Sequence, residues 1–265
     1  MINTKHYRFY IIVFLFLGGL KGLSQVSLDS MIAVLQQNDF DKIYLVKDSI
    51  VSSQEKAIPK LIELLKDTTY LKLDNTMDLI YPGADHFYGH GWIVDYDLDW
   101  VSVRAAWLLE EITFQDFGYK NITIHEDSLI KLHEEKYYSE YLKIGYHNVN
   151  FRNKTPRQQL IIYHQLLAES VAKWWAMNKN TWTRFNALKL ALISNNLNRL
   201  SLALEFLRFD KTACDNLTLT TYKSEITPLV RKVRHSKSEE AEQAKLLMQD
   251  HEYYWLKIKP SRRKH

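Results

Sequence analysis

Apolar side chains recur three and four positions apart along most of this chain, the spacing of one buried helical face. Asp29 to Gln37 and Asp41 to Ser53 show it first and read as an antiparallel helix pair. Ala57 to Lys66 follows, with Pro59 in its first turn, where a missing N–H costs little. Trp100 to Thr113 carries Val103, Ala106, Trp107 and Glu110 along its axis, and Asp127 to Leu142 repeats the pattern more weakly. Thr155, Pro156 and Gln158 make a capped start for a helix running to about Met177. Further helices are predicted over Trp182 to Ser194, Leu197 to Phe209 and Tyr222 to His235. A last one covers Glu239 to Leu256, with Ser236 and Glu239 as its capping box. Strand-like stretches are confined to Trp92 to Tyr96 and Asn121 to Ile124.

Glycine placement sharpens this picture. Beyond residue 24, Gly83, Gly89 and Gly91 crowd one stretch, leaving only Gly118 and Gly145 elsewhere. Long helices joined by polar turns fit such poverty, and the crowded stretch marks a loop.

The first residues stand apart from the rest. Lys5 and Arg8 precede an apolar run from Phe9 to Leu20, which ends at Lys21 and the small residues Gly22 and Ser24. A membrane-spanning helix needs about 20 apolar residues, and this run is shorter. The order is that of a secretory signal cut after Ser24, so residues 1–24 are expected to be removed and the protein exported, periplasmic or extracellular, with no stable membrane anchor. No cysteine follows the apolar run to accept a lipid.

Removing that segment takes Lys5, Arg8 and Lys21 out of a formal charge of +4. Residues 257–265 hold Lys257, Lys259, Arg262, Arg263 and Lys264 as a basic tail, so the body between is net acidic. A nucleic-acid binder shows a basic face on its folded domain, and this balance argues against that class. Cys214 is the single cysteine, so no intrachain disulfide forms, and its polar surroundings offer no base to activate a catalytic thiol.

Two segments carry a family resemblance. Ala57-Ile58-Pro59-Lys60-Leu61-Ile62-Glu63-Leu64-Leu65-Lys66-Asp67 resembles the second helix of a HEAT repeat. Val103-Arg104-Ala105-Ala106-Trp107-Leu108-Leu109-Glu110-Glu111-Ile112 resembles the first helix of the next, with the alanines directly after Arg104. The helix bearing Trp174-Trp175 is similar to Trp-Trp helices found beside HEAT-like repeats in exported bacterial proteins. The resemblance implies an all-α protein of HEAT-like helical hairpins, α-solenoid-like, over residues 25–150. A C-terminal helical bundle over 151–256 follows, and one long irregular loop over 73–99 interrupts the hairpins. It also implies a protein partner bound along an exposed helical surface.

That loop is the candidate for chemistry. From Leu73 to Val103 there is no Lys or Arg, yet the stretch holds Asp74, Asp78, Asp85, Asp95, Asp97 and Asp99, with His86 and His90 among Tyr81, Trp92 and the glycines. Carboxylates so crowded repel one another unless Arg104, a helix N-terminus, a metal ion or a partner supplies positive charge. The candidate binding residues are Tyr81, Asp85, His86, His90, Trp92, Asp95, Asp97 and Asp99. Asp85, His86, His90 and Asp95 are ligand types for zinc, and oxygen ligands alone suit calcium. Asp97 or Asp99 is expected to cap the helix that follows. Glu110 and Glu111 either add carboxylates to this site or lie on an exposed helix face.

Known motifs do not match residue by residue. Asp95-Tyr96-Asp97-Leu98-Asp99 opens like an EF-hand loop, but the sixth position is Trp100 and the twelfth Ala106. His133-Glu134 opens like a zinc-protease helix, but Tyr137 stands at the second histidine position. The leading expectation is therefore a non-catalytic protein-binding module that uses the helical surface and the loop. A metal-assisted hydrolase with Asp97 or Asp99 as general base is the alternative, and glycan binding by Trp174, Trp175 and Trp182 a further one.

Overall fold

A computed structural model describes residues 27–74, 87–88, 92–94, 96–120, 155–210, 212–235 and 240–249, with backbone alone at 87–88, 92–93, 156, 243 and 246–249. Among the described residues the fold is all-α apart from one two-residue ladder. Helices α1 (Leu28–Val34), α2 (Phe40–Ser52) and α3 (Ile58–Leu64) precede the ladder, which pairs β1 (Phe87–Tyr88) with β2 (Trp92–Ile93) antiparallel. Then come α4 (Val101–Thr113), α5 (Pro156–Asn178), α6 (Arg184–Leu192), α7 (Leu197–Phe209), α8 (Thr227–Arg234) and α9 (Glu240–Gln249).

Side-chain caps start five of the described helices. Ser27, Asp39, Thr183 and Asn196 each accept a backbone N–H at the start of α1, α2, α6 and α7. Thr155 and Gln158 close both bonds of the expected capping box on α5. The expected helix over Tyr222 to His235 is interrupted in a specific way. A helical turn at Leu219–Thr221 leads into a π-turn at Tyr222–Ile226, and only then does α8 begin. Pro228 has no N–H and its ring crowds the preceding turn, so the chain widens there. The helix expected over Asp127 to Leu142, the signal over 1–24, the Ser236–Glu239 capping box and the basic tail lie outside the described residues.

Helix α4 is the axis of the first core. From Val101 to Glu110 every residue is buried, and so are Ile112 and Thr113. A helix surrounded on all sides needs apolar neighbours everywhere, and α1, α2, α3 and α5 contribute Leu35, Phe40, Ile43, Leu61, Leu160, Leu167 and Val171 to the same cluster. Glu110 and Glu111 therefore do not sit on an exposed face. Glu110 is buried beneath Tyr96 and Phe117, and Glu111 is half-buried against Lys47 of α2.

While Phe117 and Tyr119 return to the first core, Phe114 reaches from the end of α4 into a second. It ends α4 in the left-handed region at φ 51°, unusual for a bulky residue, with its N–H on the Glu110 carbonyl at 2.8 Å. The ring packs edge-on against Phe206 at 5.2 Å, inside a cluster built by α6, α7, α8 and α9. Burial of that ring offsets a backbone cost of about 1 kcal/mol.

Candidate functional site

The Asp-rich loop leaves the first core at Asp74 and returns at Tyr96, and both stems are hydrogen-bonded to the rest of the fold. On the outgoing side, Asp74 donates its N–H to the Asn38 carbonyl at 2.6 Å and accepts from Phe40 at 3.4 Å, a parallel bridge to Asp39. The Asn38 amide also donates to the Asp74 carboxylate. One residue earlier, Leu73 donates its N–H to Asp99 Oδ1 at 2.9 Å, while Tyr70 donates its hydroxyl to Asp99 Oδ2 at 3.2 Å. Asp99 thus joins the two stems, and its own carbonyl accepts from Leu71 at 2.7 Å.

Neither Asp97 nor Asp99 caps α4. The N-cap is Trp100, without a side-chain bond. The first free N–H groups of the helix go instead to main-chain carbonyls of the outgoing stem, Val101 to Thr69 at 3.1 Å and Ser102 to Asp67 at 3.0 Å. With those donors already taken by backbone, Asp99 turns to Leu73 and Tyr70. Asp97 accepts from the Asp99 N–H at 3.3 Å.

Arg104 lies beneath both stems, wholly buried. Its guanidinium donates to the carbonyls of Leu35, Gln37, Leu71 and Leu98, which end α1, follow α3 and precede α4. A planar five-donor fork can gather converging carbonyls in this way, whereas an ammonium cannot span them. The sequence marked Arg104 as a cation for the aspartates. Its bonds to main chain make it the fastener of the stems.

Tyr96 anchors the returning stem. Its buried hydroxyl donates to Glu110 Oε2 at 2.6 Å, and the Phe117 N–H donates to Oε1 at 2.8 Å. Burial, with Asp116 nearby, pushes the Glu110 carboxyl up to about 8, against the pull of these bonds. Tyr96 itself is held well above the ordinary phenol range, by burial first and then by Glu110.

A second polar pair lies deeper. Ser102 Oγ and His164 Nδ1 are 3.1 Å apart, both side chains with no exposure, and Nε2 has no partner among the described residues. Trp100 meets the imidazole edge-on at 5.1 Å. Burial lowers the His164 pKa to about 3, so the ring is neutral. A serine beside a neutral histidine is a nucleophile-and-base pairing in type, but this one is sealed inside the core and serves to pack α5 on α4.

The remaining predicted residues are distributed as follows. Tyr81, Asp85, His86, His90 and Asp95 lie outside the described residues, and Trp92 is described in backbone alone, paired with Tyr88. Among the described residues no three His, Cys, Asp or Glu side chains converge as a metal site, and all four expected ligands lie outside them. Trp174 is buried against Phe117 at 5.2 Å, while Trp175 and Trp182 are half-buried and stack behind it at 6.0 and 5.9 Å. The three indoles therefore do not form a jointly exposed sugar platform. Cys214 is free, and burial pushes its thiol up to about 12, which keeps it protonated.

Glu111, which the sequence left open, pairs with Lys47 at 2.5 Å, and the ammonium sits 5.3 Å from the Trp107 ring centroid. Burial alone would lower the Lys47 pKa, but the Glu111 carboxylate carries it upward. Arg184 binds the Glu111 carbonyl at 3.2 Å and Thr212 at 2.8 Å, between the Phe114 and Phe206 rings, and so connects the two cores. No sequence pattern distinguishes these buried charges from solvated ones. No described helix is long and apolar enough to cross a membrane. In comparisons with known families, curated proteins and solved structures, the chain matches none.

Proposed function

We propose that the protein is an exported, non-catalytic helical protein that binds a protein partner through its helical surface and the Asp-rich loop from Tyr81 to Asp99. The observation that carries this reading is the double anchoring of the loop. Arg104 and Glu110, both buried, and the half-buried Asp99 hold its two stems, which suits a segment offered from a rigid base. A partner with a basic face complements this loop, since Leu73 to Val103 holds six aspartates and no Lys or Arg. Leu190, Ile193 and Leu197, each more than half exposed around the turn from α6 to α7, offer apolar contact area on the helical surface.

HEAT-like stacking of α1 to α4, followed by a bundle of α5 to α9, belongs to the same reading. It is supported by the packing of α3 on α4 and by the mutual contacts of α6, α7, α8 and α9. The test is photo-cross-linking from a residue placed in the loop, followed by identification of the captured partner. One partner should be captured, and neutralising Asp78, Asp85 and Asp95 together should abolish capture without lowering the melting temperature. If no partner is captured while the purified protein retains a divalent metal and hydrolyses a generic ester or phosphate, the metal-assisted hydrolase replaces this reading.

A further inference from the structure

Helix α8 buries Val230 and Val233 and turns Arg231, Lys232 and Arg234 to solvent, with Lys223 exposed on the π-turn before it. Lys42, Lys60, Lys66 and Lys245 each have a carboxylate partner, and the exposed Lys56, Lys173 and Lys179, which have none among the described residues, stand apart from one another along the chain. None of the four cations of this face has one among the described residues. The only acid between Leu219 and His235 is Glu225, and Lys189 of α6 takes it at 2.7 Å. On α9, which packs against α8, Glu240 is buried and Glu242 pairs with Lys245, so the face is positive on a protein whose body is net acidic.

We infer that this face of α8 docks on an anionic phospholipid surface. Charge complementarity sets the sign of the partner, and shape sets its kind. The cations project from the convex outer side of a helix whose other side is fixed in the core. A single bound phosphate requires donors converging in a concave site, whereas an extended sheet of headgroups meets a convex row of cations at many points. This inference does not rest on the protein-partner reading, which concerns the opposite charge and other residues.

Sedimentation of the purified protein with vesicles of phosphatidylcholine alone, or mixed with phosphatidylglycerol, tests it. The protein should pellet with the mixed vesicles only, and raised salt should release it. Arg231→Gln, Lys232→Gln and Arg234→Gln together should weaken binding by about a hundredfold. These side chains are exposed, so the variant should melt like the parent. Lys56→Gln, Lys173→Gln and Lys179→Gln, the same charge change on other exposed positions, should leave binding within about threefold. Equal binding to both vesicles, no binding, or equal weakening by the two triple variants would overturn the proposal. So would binding that depends only on residues 257–265, or capture of a soluble acidic protein without vesicle binding.

Discussion

Tyr96 and Glu110, 14 positions apart, meet at 2.6 Å in the interior, so the stem of the acidic loop hangs on a carboxyl group whose charge burial opposes. The same core holds His164, whose charge burial also opposes. The two groups titrate in opposite senses, and stability against pH follows from both.

Glu110 has its pKa raised from 4.5 to about 8, so its contribution is complete below 4.5 and is lost as pH rises toward 8. His164 has its pKa lowered from 6.5 to about 3, so its contribution is complete above 6.5 and is lost as pH falls toward 3. Between 4.5 and 6.5 the two slopes oppose, and stability should be nearly flat there. Urea unfolding from pH 3 to 8 should show a fall of roughly 2 kcal/mol on either side of that plateau. Glu110→Gln should remove the alkaline arm and leave the acid arm in place. An unchanged alkaline arm in that variant would show that Glu110 is not its source.

Arg104→Met should destabilise the protein by about 4 kcal/mol, because the carbonyls of Leu35, Gln37, Leu71 and Leu98 lose their donor together. Arg104→Lys should recover less than half of that, since one ammonium cannot reach all four. Chemical denaturation of the three proteins measures both effects, and full rescue by lysine would contradict the fork geometry.

Asp99→Asn should bring the Tyr70 phenol down from about 12, because the carboxylate raises it after burial does. Ultraviolet titration of the tyrosines, compared with a Tyr70→Phe control, isolates this group. The Asn side chain can still accept from Leu73, so the melting temperature should change little.

Cys214 should react slowly with a disulfide reagent near neutral pH, since its thiol is held up to about 12 and stays protonated. Denaturant should speed the reaction by more than about tenfold. A fast native reaction would mean that the loop around Cys214 opens readily.

By itself the sequence located most of the described helices, because periodic apolar positions and capping residues act within a few residues of one another. Leu197–Phe209 has the bounds that the pattern predicts, and Thr155 with Gln158 closes the predicted box. It also located the acidic loop, since missing cations and crowded glycines need no structure to be seen. Only the tertiary structure decided where the charges of α4 point. Arg104, Glu110 and Glu111 stand in one helix with spacing that suits solvent as well as core. Their roles depend on carbonyls from Leu35 to Leu98, on Tyr96 and on Lys47, partners fixed by how distant segments fold around α4. Asp99 was misread for the same reason. A cap is a local rule, and main chain from Thr69 and Asp67 had already satisfied the helix it was expected to serve.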